Sequence, residues 1–271
     1  MSDPVVILGL GFTTQRLARR LRLRDTPVYA TVRATARFAE LGALGVRLCA
    51  MVPDELPKGA VLVHSVPPLD EPERSRIRAL IGAIAPRRIL YISSTGVYGS
   101  QARVTERTPV APADDKGQAR VDEEQWIAEA WSSLILRSAA IYGPGRGIHV
   151  KLREGKRPRG AGGLISRIQV DDLAALLEAG INSSLQGAWP VADDLPASSD
   201  EVVAWCANLM GLPLPDCSAP GYPVAGRDVD GRKIRELLEV KLTYPTYRTG
   251  IPASIAGELR LHGPAKSGAG H

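Results

Sequence analysis

Apolar residues along this chain gather in short unbroken runs, each followed by a stretch where they recur every three or four positions. "PVVILGL" at 4–10 reads as a buried strand, an apolar run closed by glycine. A helical pattern follows to about residue 24, with Leu17 and Leu21 on one face and arginines on the other. "PVYATVR" at 27–33 predicts a second strand, "ARFAELGALG" at 36–45 a short helix and "VRLCAM" at 46–51 a third strand. "AVLVHSVPP" at 60–68 is a fourth strand stopped by two prolines. A helix over 71–84, the strand "RRILYIS" at 87–93, a helix near 119–130 and the strand "SSLILRS" at 132–138 continue the series. Strand–helix alternation predicts parallel strands joined by crossover helices. Strands that are apolar throughout predict a sheet covered on both faces. The class is therefore α/β with a doubly wound parallel sheet. Past residue 143 the pattern loosens, and helices near 171–181, 198–210 and 231–239 are separated by Gly/Pro-rich loops.

Composition narrows the classes. A chain of 271 residues, 44% hydrophobic and 23% charged, holds one large α/β domain or two small ones. Three cysteines form no C-x-x-C pair, and four scattered histidines add no metal-ligand spacing, so no metal is expected. Unpaired thiols, a start "MSDPVVILGL" without the features of a secretory signal, and no run of spanning length predict a cytoplasmic protein off the membrane. The net charge of +5 concentrates in "RLARRLRLR" at 16–24 and "KLREGKRPRG" at 151–160. The first reads as the solvated face of a helix. Neither cluster contains an aromatic residue, which argues against nucleic acid. The expected partner is a small-molecule substrate, and the expected state a monomer or homodimer.

The polar residues of interest fall at the carboxyl ends of the predicted strands, where parallel sheets bind ligands. "ILGLGFTTQRLA" at 7–18 supplies the first two glycines of G-x-G-x-x-G, Gly9 and Gly11, but places Thr14 at the third. Gly9 permits the tight turn. Gly11 lets the backbone approach a pyrophosphate, which the helix N-terminus favours. Thr14, with Thr13, is suited to cap the helix through its hydroxyl. The second strand ends "ATVRATAR" with no acidic residue to hold a ribose 2′-hydroxyl. Arg33, with Arg37 behind it, suits a 2′-phosphate instead, so NADP(H) is expected over NAD. Phe12, Ser65 and Ser93, on the same turn or at the ends of strands four and five, complete the candidate cofactor set. His64 fits either a ligand contact or a buried, satisfied histidine.

"YISSTGVYG" at 91–99 resembles the strand-five motif of extended and atypical short-chain dehydrogenases/reductases, in the NAD-dependent epimerase/dehydratase family. "LRSAAIYGPGR" at 136–146, "RIQVDDLA" at 167–174 and "GRKIRELLEVKLTYPTYRTG" at 231–250 are similar to later landmarks of that family, in order. The resemblance covers about residues 4–255 and implies a Rossmann-type sheet with a small discontinuous C-terminal substrate lobe. The implied boundaries are a dinucleotide-binding core over 1–142, with 167–195 returning to it. The lobe takes 143–166 and 196–262, and 263–271 form a flexible tail.

The resemblance also implies a Ser/Thr–Tyr–Lys site in which tyrosine exchanges a proton while the nicotinamide exchanges a hydride. Ser94 falls at the Ser/Thr position. The tyrosine and lysine do not survive: in "DDKGQARVDEEQW", Lys116 takes the tyrosine place and Arg120 the lysine place. Arg120 suits the ribose hydroxyls but is too basic to shuttle protons. Lys116 is a proton donor only if burial or nearby positive charge lowers its pKa, and otherwise a solvated loop lysine. Tyr98 and Tyr142 read as packing residues with tethered hydroxyls. Asp171 and Asp172 read as caps of a helix. Arg146 and Arg167 either clamp an anionic substrate or form structural ion pairs. Two functions follow. One is an NADP-dependent oxidoreductase or epimerase-like enzyme with an altered proton-transfer site. The other is a non-catalytic NADP(H)-binding sensor that keeps the cradle without the chemistry.

Overall fold

A computed structural model describes residues 3–67, 70–156, 163–215 and 226–262. The tail at 263–271, Cys217 and the second half of the 151–160 cluster lie outside the described residues. The first half of the chain alternates as its pattern predicts: β1 (Val5–Leu8), α1 (Phe12–Arg22), β2 (Val28–Thr31), α2 (Ala39–Ala43), β3 (Arg47–Cys49), β4 (Val61–His64), α3 (Glu71–Ile84) and β5 (Arg88–Ser94). Then come β6 (Arg103–Val104), α4 (Asp115–Ala130), β7 (Ser133–Ser138), β8 (Ala140–Tyr142), α5 (Ile148–Arg153), β9 (Leu164–Ile165), β10 (Arg167–Gln169) and α6 (Val170–Ile181). The chain closes with β11 (Gly187–Val191), β12 (Ala197–Ser198), α7 (Ser199–Met210), β13 (Asp228–Val229), α8 (Arg232–Leu237) and α9 (Tyr247–His262).

Seven strands form one parallel sheet in the order β11-β7-β5-β4-β1-β2-β3. Side chains alternate across it. Val5 and Ile7 face Leu17, Leu21, Leu173 and Leu177 of α1 and α6. Val6 and Leu8 face Ile77, Ile81 and Ile127 of α3 and α4. Both faces are dry, which explains the unbroken apolar runs. A smaller core, built on Leu152, Val203, Cys206 and Ile251, lies among α5, α7 and α9.

Four readings need correction. The fourth strand stops at His64, and residues 65–67 leave the sheet. Helix α4 begins at Asp115, four residues early, because the Asp114 carboxylate accepts the Gly117 N–H at 2.7 Å and sets the start. Neither Asp171 nor Asp172 caps α6: the Gln169 side chain does, while buried Asp172 accepts the N–H groups of Thr243 and Tyr244 at 2.8 and 2.9 Å. The arginines of α1 are more than a solvated face. Arg20 and Arg24 both reach buried Glu178 of α6 at 2.7 Å, and Arg16 reaches Asp171 at 3.1 Å. The pattern also missed β11, α5 and α9. Pro252, Gly250 and Gly257 interrupt the helical signal of α9.

The α1–α6 pairing yields a prediction. Glu178→Gln keeps the volume but removes the charge that two guanidinium groups share. It is expected to lower unfolding free energy by about 1–3 kcal/mol in urea denaturation. An unchanged midpoint would show that these pairs contribute nothing to holding α1 on α6.

Candidate functional site

The sequence of strands reverses direction between β1 and β4. From β1 the chain moves outward through β2 and β3, then returns across β1 to β4 and β5. Helices leaving β1 and β4 therefore diverge, and a crevice opens at the carboxyl ends. A cleft of about 530 Å³ lies there. Its walls bring together Gly11, Phe12 and Thr13, Ser65, Ser93 and Ser94, Arg120 and Arg146.

One wall is the β1–α1 turn. Gly9 has φ +87°, open to glycine and strained for other residues, and an added Cβ would lie 3.1 Å from Ser65 Oγ. Its carbonyl accepts both Ser65 Oγ at 2.6 Å and Thr14 Oγ1 at 2.8 Å. Thr14 Oγ1 in turn accepts the Gly11 N–H at 2.8 Å. The threonine thus ties both ends of the turn, where the usual pattern has only a small residue. Thr13 lines the cleft without a capping bond. An added Cβ on Gly11 would meet nothing within 4 Å, so this residue abuts open space at the N-terminus of α1.

The opposite wall comes from β5 and α4. Ser94 Oγ accepts the Gly96 N–H at 3.1 Å and starts a turn over Thr95–Tyr98. Gly117 packs on that turn, since an added Cβ would lie 3.2 Å from the Gly96 carbonyl oxygen. This close fit carries Arg120, one turn on, into the cleft. Burial pushes Tyr91 up to about 12, and Arg120 opposes that rise. Behind the wall, Ser93 donates to the buried Glu124 carboxylate at 2.5 Å, which Arg137 holds at 2.7 Å.

The other candidates separate. His64 does not reach the cleft. It is buried, stacked on Tyr91 at 5.0 Å, with Nε2 3.5 Å from Glu123. It borders a separate void of about 20 Å³, far too small for a nucleotide. Burial alone would raise Glu123, but hydrogen bonds from His64 and Arg78 outweigh it and hold the carboxyl below its ordinary range. Lys116 stands exposed in the first turn of α4 and is not among the cleft-lining residues. Arg33 is 86% exposed just past β2, with Glu73 at 3.8 Å, and Arg37 lies beside the ring of Phe38. Arg167 is buried and donates to the carbonyls of Ile165 and Ala197 at 2.7 and 2.8 Å, a structural role. Arg146 lines the cleft, 5.3 Å from the centre of the Phe12 ring. Tyr98 and Tyr142 are buried, with hydroxyls tethered to Arg137 and to the Thr246 carbonyl.

Sequence reasoning missed Arg227. It reaches the cleft because β13 pairs with the two-residue strand β6, a contact with no periodic signal. Among the described residues no cluster of His, Cys, Asp or Glu is arranged to hold a metal, and no helix is long and apolar enough to cross a membrane.

No protein-family model matches the chain. A functionally unknown conserved protein from Silicibacter pomeroyi DSS is 33% identical in sequence, superposes with a TM-score of 0.81, and is matched over 94% of this chain and 99% of its own. The chain belongs to one family with that protein. A putative NAD-dependent epimerase/dehydratase from Methylobacillus flagellatus shares 24% identity over 94% of this chain and 98% of its own, with a TM-score of 0.75. Its likeness is one of fold, a Rossmann-type parallel sheet with helices on both faces. A Streptomyces protein described as a 3-diazoavenalumate denitrifying reductase is 29% identical over 140 residues, 44% of this chain and 46% of that one. The match thus spans less than half the length of that curated relative.

The turn itself is testable. Thr14→Val removes both hydroxyl bonds at nearly constant volume, while Ser65 and the Gly11 N–H stay on the Gly9 carbonyl. It is expected to cost about 1–3 kcal/mol of stability by chemical denaturation. Wild-type stability in this variant would contradict the role given to the threonine.

Proposed function

We propose that the cleft takes a nicotinamide dinucleotide and that the protein is an NAD(P)-dependent oxidoreductase or epimerase-like enzyme, NADP preferred, acting on a small carbonyl or hydroxyl substrate. One observation carries the reading: a single cleft at the strand-order reversal is lined by Gly11 on one wall and by Ser94 and Arg120 on the other. The open space beside Gly11 fits the approach of a pyrophosphate to the α1 N-terminus. The similarity to a putative NAD-dependent enzyme and to a reductase supports the same reading.

The residues divide the work. Gly11, Phe12 and Thr13 would hold the phosphates through the turn and helix end. Arg120 would hold the ribose hydroxyls through the N–H donors of its planar fork. A bound nicotinamide supplies or accepts the hydride. Ser94 Oγ already accepts a hydrogen bond from Gly96, so its proton is free to donate to a substrate oxygen and orient it. Lys116 is left to solvent. Proton transfer without a positioned acid forgoes the roughly 10²–10⁴-fold that general acid catalysis provides, which predicts slow turnover.

The NADP preference rests on Arg33, two residues past β2, with no acidic residue between Thr31 and Glu40. The exposure of Lys116 favours a second reading, a non-catalytic NADP(H)-binding sensor.

Titration calorimetry with both cofactors tests the proposal. NADPH is expected to bind at least about tenfold more tightly than NADH, and Arg33→Ala to remove that margin, the scale of one charged hydrogen bond. Equal affinities would remove the NADP assignment, and no binding of either would remove the function. Ser94→Ala is expected to slow carbonyl reduction at unchanged NADPH affinity, while Lys116→Met changes neither. Tight NADPH binding with no oxidation across a panel of aldehydes and ketones would select the sensor.

A further inference from the structure

The cleft has an unbalanced charge. Among the described residues that line it, three are arginines, Arg120, Arg146 and Arg227, and none is aspartate or glutamate. Arginines that border it from outside do find carboxylates: Arg16 pairs with Asp171 at 3.1 Å and Arg137 with Glu124 at 2.7 Å. Among the described residues, the three inside form no ion pair with an acidic side chain.

Arg227 is the most constrained of the three. It is half-buried, one guanidinium nitrogen donates to the Gly99 carbonyl, and Nε is sealed from solvent without an acceptor. Burial pulls its pKa down, and among the described residues Tyr98 is the group that opposes the pull. A desolvated guanidinium without an anion is costly, and a carboxylate matches its planar fork with two parallel hydrogen bonds. Arg146 stands at Phe12, against the helix end assigned to the cofactor phosphates. With Arg120 given to the cofactor ribose, that leaves Arg227 for another anion. Ile92, Ile141, Ala139 and Ala140 supply an apolar lining to the same cleft.

We infer that the substrate of this cleft is a carboxylate on a small apolar body, its anionic group held by Arg227. The inference rests on the reading of the cleft as a dinucleotide site, which assigns Arg120 to the ribose and the Phe12 end, beside Arg146, to the phosphates. A phosphate shares the oxyanion chemistry, but the fork geometry and the space left in a cleft shared with a dinucleotide favour the smaller planar group.

Matched probes test it. Benzoate, 3-phenylpropanoate, their amides and phenyl phosphate are titrated against the NADP⁺-saturated protein and, separately, against the free protein. At least one carboxylate is expected to bind tenfold or more tightly than its amide. Arg227→Met is expected to abolish that ratio and Arg227→Lys to keep part of it, both with NADP⁺ affinity within about twofold of wild type. Equal binding of acids and amides to the wild type, or binding of none of the acids, overturns the inference, and this arm needs no variant that folds. Tighter binding of phenyl phosphate than of either carboxylate overturns the choice of carboxylate. A protein that fails to bind NADP⁺ fails the functional reading instead, and the acid–amide ratio on the free protein then decides the role of Arg227 separately.

Discussion

The reversal of strand order between β1 and β4 is the constraint on which the rest depends. Parallel strands need crossover helices, and helices that cross in opposite senses cannot both cover the strand ends. The crevice is a consequence of topology before any side chain is chosen. Its walls are whatever follows the strands: the glycine turn after β1, Ser65 after β4, the serines ending β5, and the Ser138–Ile141 segment after β7. Local chemistry then makes the walls rigid. Thr14 and Ser65 share the Gly9 carbonyl, and Ser94 starts its own turn. Atoms that a ligand would meet are held by the atoms behind them.

Charge is arranged around the cleft in the same layered way. The buried carboxylates Glu123, Glu124, Glu178 and Glu258 each meet at least one arginine, at 2.6–2.8 Å. Removing a carboxylate from water is tolerable only with such partners. Glu258 of α9 also accepts the Gly145 N–H at 2.6 Å, which fixes the turn that presents Arg146. Acidic groups are thus spent on structural arginines behind the walls, and Arg120, Arg146 and Arg227 in the cleft meet no carboxylate among the described residues. A chain with many arginines and few lysines suits this division, because the planar fork serves both ion pairing and oxyanion capture.

How much of this was legible varied with the range of the interaction. Strands β1 to β7 of the sheet and helices α1, α3, α6 and α7 were readable, because burial on both faces of a sheet writes unbroken runs and helix packing writes a 3.6-residue period. Helix α9 was not, since Pro252 and two glycines erase its period while tertiary contacts keep it helical. The glycine turn was legible from its spacing, Ser94 and Arg120 from the family resemblance, and the cleft brings Gly11, Ser94 and Arg120 together. His64 was ambiguous, and the structure turns it to Tyr91 and Glu123. The place of Arg227 had no signal at all: two-residue strands that pair Asp228 with Arg103 bring it in. The partners of Arg20, Arg24 and Arg137 were hidden for the same reason, since a charge pattern shows which face is polar but not which distant carboxylate it will meet.

The central claim is that the open space at the α1 N-terminus exists to admit a dinucleotide phosphate. Gly11→Val tests it most directly, because the backbone there is not in a glycine-only region and no atom stands within 4 Å of an added Cβ. The measurement is calorimetric titration of NADPH into this variant alongside its melting temperature. The account predicts a wild-type melting temperature with binding lost, the added side chain occupying the ligand's place. Wild-type NADPH affinity in a folded Gly11→Val protein would contradict it.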